Sequence, residues 1–246
     1  MTERQSVVLV LGASSDIGRE VIREIDDGIS LILAHYNRSL DKLTQLQSEV
    51  RSTVTPIQAD LSRDEDVEAM LARIAGVCPY PQKIVHLPAP RLSYTRFKDA
   101  TWHTFQQELD IELRSIVLVL LKFLPLMAKD GGGKIVLMLS SVSQGVPPKA
   151  LAHYTTTKYA LLGLMKALAA EYADKHISIN AVSPSMIDTA FLSELPGKLI
   201  ELSAAAHPLK RNASTQDIAP IIKFLLSSDA DYITGANIPV TGGSVF

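Results

Sequence analysis

A single cysteine, Cys78, and a single tryptophan, Trp102, stand in a chain of 246 residues. One thiol forms no internal disulfide and builds no cysteine-based zinc cluster, so disulfide-stapled and zinc-ribbon folds are excluded. Charge of one sign is lacking too: 24 Lys+Arg against 26 Asp+Glu leave a net charge of −2. That balance argues against nucleic acid or an anionic membrane as partner, and against an acidic disordered chain. Long apolar runs are missing. Ile116 to Met127 is interrupted by Lys122 and is too short to cross a bilayer. After the charged Glu3 and Arg4 only Val7–Leu11 is apolar before Gly12, which falls short of a secretory signal. His86, His103, His153 and His207 show no metal-ligand spacing, so no metal is expected. The expectation is a cytoplasmic enzyme or binding protein.

What the chain does have is alternation. Short, mostly β-branched runs occur at Val7–Leu11, Leu31–Ala34, Ile84–Leu87, Ile135–Leu139 and Ile177–Val182, with weaker ones at Val54–Gln58 and Ala236–Val240. Between them, helical spacing covers roughly 17–26, 40–51, 63–75, 100–128, 152–174 and 215–228. Buried strands alternating with amphipathic helices predict an α/β fold: a single-domain, Rossmann-like, doubly wound parallel sheet of about seven strands with helices on both faces. No domain boundary interrupts residues 1–246. The one irregular stretch, about 184–213, holds Pro184, Pro196, Gly197 and Pro208 and reads as a substrate flap (about 186–208) or a disordered loop. In such sheets ligands bind at the carboxyl ends of the strands, which directs attention to the residue after each run.

Gly12-Ala13-Ser14-Ser15-Asp16-Ile17-Gly18 follows the first strand and opens a helix. Glycine at the strand end permits a tight turn, glycine at the helix start permits close packing, and the helix N-terminus faces an anion. An ordinary βα turn has the same appearance; its place after the first strand favours the anion reading. Tyr154 and Lys158 lie one helical turn apart on one face. A phenol beside an ammonium can exchange protons with a carbonyl or alcohol oxygen, although most such pairs are surface pairs. Ser141, at the end of the Ile135–Leu139 run, is the expected hydroxyl for holding that oxygen.

On these residues the chain resembles the short-chain dehydrogenase/reductase family over nearly its full length. Ser141 stands thirteen residues before Tyr154, as is usual in the family, and Tyr154 with Lys158 matches its Tyr-x-x-x-Lys motif. Asp60-Leu61 resembles the pair that holds the adenine ring. Asn180 to Pro184 followed by Thr189 resembles the segment that meets the nicotinamide carboxamide. Thr234-Gly235 with Gly242-Gly243 is similar to the family's C-terminal signature. The C-terminal half resembles 3-oxoacyl carrier-protein reductases in particular, although Lys166 and Lys175 are the only basic residues in 160–180 that could dock an acidic carrier.

The resemblance implies an oxidoreductase acting on a small carbonyl/alcohol substrate. Tyr154 is the implied acid/base, Ser141 the hydroxyl that binds the reacting oxygen, and Lys158 the ribose ligand that lowers the Tyr154 pKa. It implies cofactor contacts from Gly12, Ser14, Ser15, Asp16, Ile17, Gly18, Asp60, Leu61, Pro88, Ala89, Tyr154, Lys158, Pro184, Ile187 and Thr189. It also implies a homodimer or homotetramer paired through the helices at 100–128 and 152–174. NAD users of this fold place an acid at the end of the second strand. Here His35, Asn37, Arg38 and Ser39 stand there without a carboxylate, which points to NADP(H) rather than NAD(H), or else to Arg38 as a solvated residue before a helix capped by Ser39.

Four positions depart from the family pattern. Asp16 replaces its middle glycine, His86-Leu87-Pro88-Ala89 replaces Asn-Asn-Ala-Gly, and Ser185 replaces the glycine after Pro184. Glu112 replaces its helical Asn and is expected either to pair with Lys158 and pass protons or to be structural. These changes leave a second reading open, a non-catalytic NADP(H)-binding or sensing protein. His153 is expected off the catalytic face, and Trp102 is expected to pack.

Overall fold

The computed structural model describes residues 6–26 and 31–245; Glu3 and Arg4 lie outside them. Seven strands form one sheet: β1 (Val7–Leu11), β2 (Leu31–Tyr36), β3 (Thr53–Gln58), β4 (Lys83–His86), β5 (Gly133–Met138), β6 (Ile177–Pro184) and β7 (Asn237–Val240). Their order is β3-β2-β1-β4-β5-β6-β7, and every neighbouring pair is parallel. The order reverses between β1 and β4, which opens a crevice above their carboxyl ends.

Strand alternation divides the interior into two cores. Leu9, Leu11, Ile84, Ile135 and Ile179 face one side, where they meet α3 (Asp64–Val77), α5 (Ser115–Lys129) and α6 (Ala152–Tyr172) through Ile74, Phe123 and Leu161. Val8, Val10, Ile32, Val85 and Val136 face the other, against α1 (Asp16–Ile25), α2 (Leu40–Gln47) and α8 (Thr215–Leu226) through Ile22, Leu43 and Ile222. Both faces are covered, so the strands read as continuous apolar runs instead of alternating ones.

Two segments differ from the sequence expectation. The helix expected over 100–128 is α4 (Trp102–Glu108), a π-helical turn (Leu109–Arg114) and α5. Such turns are rare and recur at functional sites. The stretch at 184–213 is not irregular throughout: it contains a 3-10 turn, Ala190–Leu192, and α7, Gly197–Ala206, with Pro196 at the N-cap. The prolines that look like breakers in the sequence delimit this helix, since a fixed φ is compatible with a helix start. Trp102 is 69% exposed and stacks on Phe105 at 6.4 Å, so it opens its helix without entering the core. No helix among the described residues is long and apolar enough to cross a membrane.

Candidate active site

A cleft of about 1090 Å³ runs along the carboxyl ends of the strands, and all the expected site residues except Gly18 and Glu112 border it. Gly12 leaves β1 at φ +79°, in the region glycine favours. A Cβ there would stand 3.2 Å from the Pro88 nitrogen. Ser15 caps α1: its hydroxyl accepts from the Gly18 N–H at 3.0 Å and donates to the Gly12 carbonyl at 2.7 Å. Gly18 packs so closely that a Cβ would collide with the Gly12 carbonyl oxygen. It therefore supports the loop from below.

Asp16, the residue in place of a glycine, turns its carboxylate away from the loop. One oxygen pairs with Arg19 at 2.8 Å, and the other accepts from the Ala190 N–H at 2.9 Å. At the end of β2, His35 is a strut. Its Nδ1 accepts from the Gly12 N–H at 3.0 Å and its Nε2 faces the Ala59 carbonyl at 3.1 Å, so both nitrogens are committed to backbone. Burial pushes its pKa down to about 4, which leaves it neutral and without charge to offer a phosphate. Arg38 and Asn37 are exposed at the rim beside Asp60, and Lys42 of α2 also lines the cleft. Ser39 stands at the N-cap of α2, as the alternative reading has it, although its hydroxyl makes no capping bond there.

Tyr154 and Lys158 rise from α6 as their spacing predicts, with the Lys158 ammonium 5.2 Å from the centre of the Tyr154 ring. Ser140 and Ser141 both border the cleft with Tyr154, and Ser140 is the one whose hydroxyl acts on the phenol. Ser140 is still extended at the end of the β5 segment, is buried, and interacts with the phenol so as to favour its ionised form. Ser141 borders the cleft but begins a 3-10 turn.

The ammonium of Lys158 meets the Glu112 carboxylate at 2.7 Å, with 2% and 0% of the two side chains exposed. Lys158 also donates to the Met138 carbonyl at 3.2 Å. This pairing changes the expected electrostatics. Burial pushes the Tyr154 phenol up, Lys158 draws it down, and Glu112 pushes it up again, for a net rise where a fall was expected. A neighbouring carboxylate partly cancels the influence of the cation. Burial alone would lower the Lys158 pKa, but Glu112 and Tyr154 hold it above its ordinary value.

One further residue escapes sequence reasoning. Glu108, in the last turn of α4, sits 2.6 Å from the Nδ1 of His153, and both are buried. His153 thus contacts the helix behind the site. The wall around Tyr154 is apolar, formed by Leu92, Val142, Leu151, Leu192 and Leu195, with the Phe191 ring 6.3 Å from that of Tyr154.

A family model described as enoyl-(acyl carrier protein) reductase matches residues 12–244. The chain is 30% identical to dehydrogenase/reductase SDR family member 4 of Bos taurus over 244 residues, which is 97% of this chain and 87% of that protein. It is also 30% identical to a 3-oxoacyl-(acyl-carrier-protein) reductase of Staphylococcus aureus (strain N315) over 241 residues, 96% of each. Among solved structures, levodione reductase superposes with a TM-score of 0.87 at 26% identity, covering 97% of both chains. A 3-ketoacyl-(acyl-carrier-protein) reductase from Brucella melitensis complexed with NADH superposes at 0.86 and 23% identity over 97% of both, a likeness of fold.

Proposed function

The chain belongs to the short-chain dehydrogenase/reductase family, and from that premise we propose that it is an NADP(H)-dependent oxidoreductase that interconverts a carbonyl and a secondary alcohol. The observation that carries this reading is the meeting of the Tyr154 phenol, the Ser140 hydroxyl and the Lys158 ammonium in one cleft, below a glycine turn at positive φ in which a Cβ would be tightly crowded. Residues 1–246 then act as one domain, with 186–208 as the substrate flap.

The cleft suits a dinucleotide. Gly12, Ser14 and Ile17 at the start of α1 would hold the pyrophosphate, and Asp60 with Leu61 would flank the adenine. Pro88, Ala89, Pro184, Ile187 and Thr189 would border the nicotinamide end. Arg38, with Lys42 and Ser39, would hold a 2′-phosphate, since a planar guanidinium suits that anion and no acid ends β2. A nicotinamide held by these residues would provide the hydride chemistry.

The chain supplies placement and the proton. Ser140 donates a hydrogen bond to the carbonyl oxygen, and Tyr154 transfers its proton to that oxygen as negative charge develops. With its pKa raised by burial, the phenol carries this proton at neutral pH. The apolar wall of Leu92, Val142, Leu151, Leu192 and Phe191 suits a substrate with an aliphatic or ring portion next to its ketone. Leu121 and Trp102, both 69% exposed on the helices around the π turn, are the surface a homodimer or homotetramer would cover.

The test is a panel of aliphatic ketones, cyclic diketones and 3-oxoacyl thioesters with NADPH. The wild type should consume NADPH with at least one class, and Tyr154→Phe should lose that activity by about 10²-fold or more. A wild type that binds NADPH and reduces none of the panel would point to sensing.

A further inference from the structure

Arg114, the last residue of the π turn, is bonded to the loop that follows β3. Its Nη2 donates to the Ser62 carbonyl at 2.7 Å and, at 3.5 Å, to that of Leu61. Its Nη1 pairs with Asp64, the first residue of α3, at 2.9 Å and with Asp110 of its own turn at 3.6 Å. The loop is itself tightly closed. The Asp60 carboxylate accepts from the N–H and the hydroxyl of Ser62 at 3.0 and 2.7 Å, and the Asp60 N–H donates to Asp66 at 3.0 Å. Asp60 and Leu61 border the adenine end of the cleft, whereas Arg114 does not border it at all. Two residues before Arg114 in the same turn, Glu112 holds the Lys158 ammonium at 2.7 Å. Helical residues two apart do not share a face. One turn of backbone therefore carries a grip on the adenine loop on one side and a grip on Lys158 on the other.

We propose that Arg114 is a positioning residue that couples the adenine end of the cleft to Lys158. By gripping Leu61 and Ser62 it holds the π turn in the register that brings Glu112 to the ammonium, and adenine bound at the loop steadies that grip. The inference rests on the reading above, in which Asp60 and Leu61 flank the adenine and Lys158 works beside Tyr154. A π turn is a less favourable arrangement than the α-helices on either side of it, so its shape depends on what its side chains hold. The contacts made by Arg114 are charge-assisted and bind two carbonyls and two carboxylates at once, which fixes the guanidinium more firmly than a single bond would. Coupling of this kind is reciprocal: a ligand that steadies the turn is itself bound more tightly where the turn is already in place.

The first test needs no turnover. Adenosine 2′,5′-bisphosphate, the adenine half of the cofactor, is added to the full chain and amide exchange is followed by mass spectrometry. In the wild type it should slow exchange in peptides covering 60–62 and, by about threefold or more, in those covering 109–114. Arg114→Ala should keep the first effect and lose the second, and Arg114→Lys, which still donates to the Ser62 carbonyl, should keep part of it. Protection confined to 60–62 in the wild type, or protection of 109–114 that survives in Arg114→Ala, would overturn the coupling. The second readout is turnover at saturating NADPH, where Arg114→Ala should lower kcat by about tenfold and Arg114→Lys should stay within about threefold of wild type. A loss confined to NADPH affinity, with kcat unchanged, would make Arg114 a support for the adenine loop alone and overturn the proposal. If the bisphosphate protects neither segment while ketones are reduced with NADPH, the coupling fails and the proposed reaction stands. If both segments respond as expected but nothing is reduced, the coupling stands and the proposed reaction fails.

Discussion

The Asp16 carboxylate accepts a hydrogen bond from the Ala190 N–H at 2.9 Å, across 174 residues of sequence. It joins the loop at the first strand to the segment that borders the other end of the cleft. The residue that departs from the glycine pattern therefore serves as a tie between cofactor loop and flap, with its charge directed at Arg19 and a backbone donor.

Removing that tie should loosen the flap and leave the fold intact. In Asp16→Ala, amide exchange at Ala190 should speed by about ten- to a hundredfold, the loss of a charge-assisted hydrogen bond at about 1.4 kcal/mol per factor of ten. Global stability should change by less than about 1 kcal/mol, because the Arg19 pair is partly solvated. Exchange mass spectrometry reads the first and urea unfolding the second.

The two serines give opposite outcomes. Ser140→Ala should lower kcat by about 10²-fold with NADPH affinity unchanged, the usual loss on removing a donor to a developing oxyanion. Ser141→Ala should stay within about twofold of wild type, as expected for a residue without a role in the transition state. The reverse pattern would return the role to the residue thirteen positions before Tyr154.

Arg38 should decide between the two nicotinamide cofactors. Nucleotide fluorescence titration should show NADPH bound more tightly than NADH by the wild type. Arg38→Ala should weaken NADPH by about tenfold or more and leave NADH unchanged, since a charged hydrogen bond contributes about 1.5–3 kcal/mol. Equal affinities in the wild type would remove this role.

His35 should make the protein sensitive to acid. Its folded pKa, pushed down to about 4 by burial, lies below the ordinary 6.5. The stability it contributes is therefore complete above about pH 6.5 and is lost as pH falls toward 4, about 2 kcal/mol of it between pH 7 and pH 5. Urea unfolding at several pH values should show this loss in the wild type and a shallower slope in His35→Leu. That variant should already be weaker at pH 7, by about 1–3 kcal/mol for each of the two backbone groups it orphans.

Much of this protein is legible in its sequence because the features concerned are local. The β-branched runs mark the strands, since only a sheet covered on both faces takes such runs without alternation. Gly12 and Gly18 are readable because a tight turn and a close helix each demand the absence of a side chain. Tyr154 and Lys158 are readable because a helix places residues four apart on one face. In contrast, Ser140 and Ser141 are neighbours of one type, one extended and one opening a 3-10 turn, and no local pattern separates their roles. Helix α7 was concealed by prolines that turned out to bound it.

The sequence alone determined the fold class, the loop and the Tyr-Lys pair, all set by periodicity and by the stereochemistry of single residues. Only the tertiary structure decided which charges share the interior: Glu112 against Lys158, Glu108 against His153, and Asp16 turned toward Ala190. Those pairings join residues 46, 45 and 174 positions apart. The ionisation of a buried group depends on whatever else is buried beside it, and no local pattern encodes that.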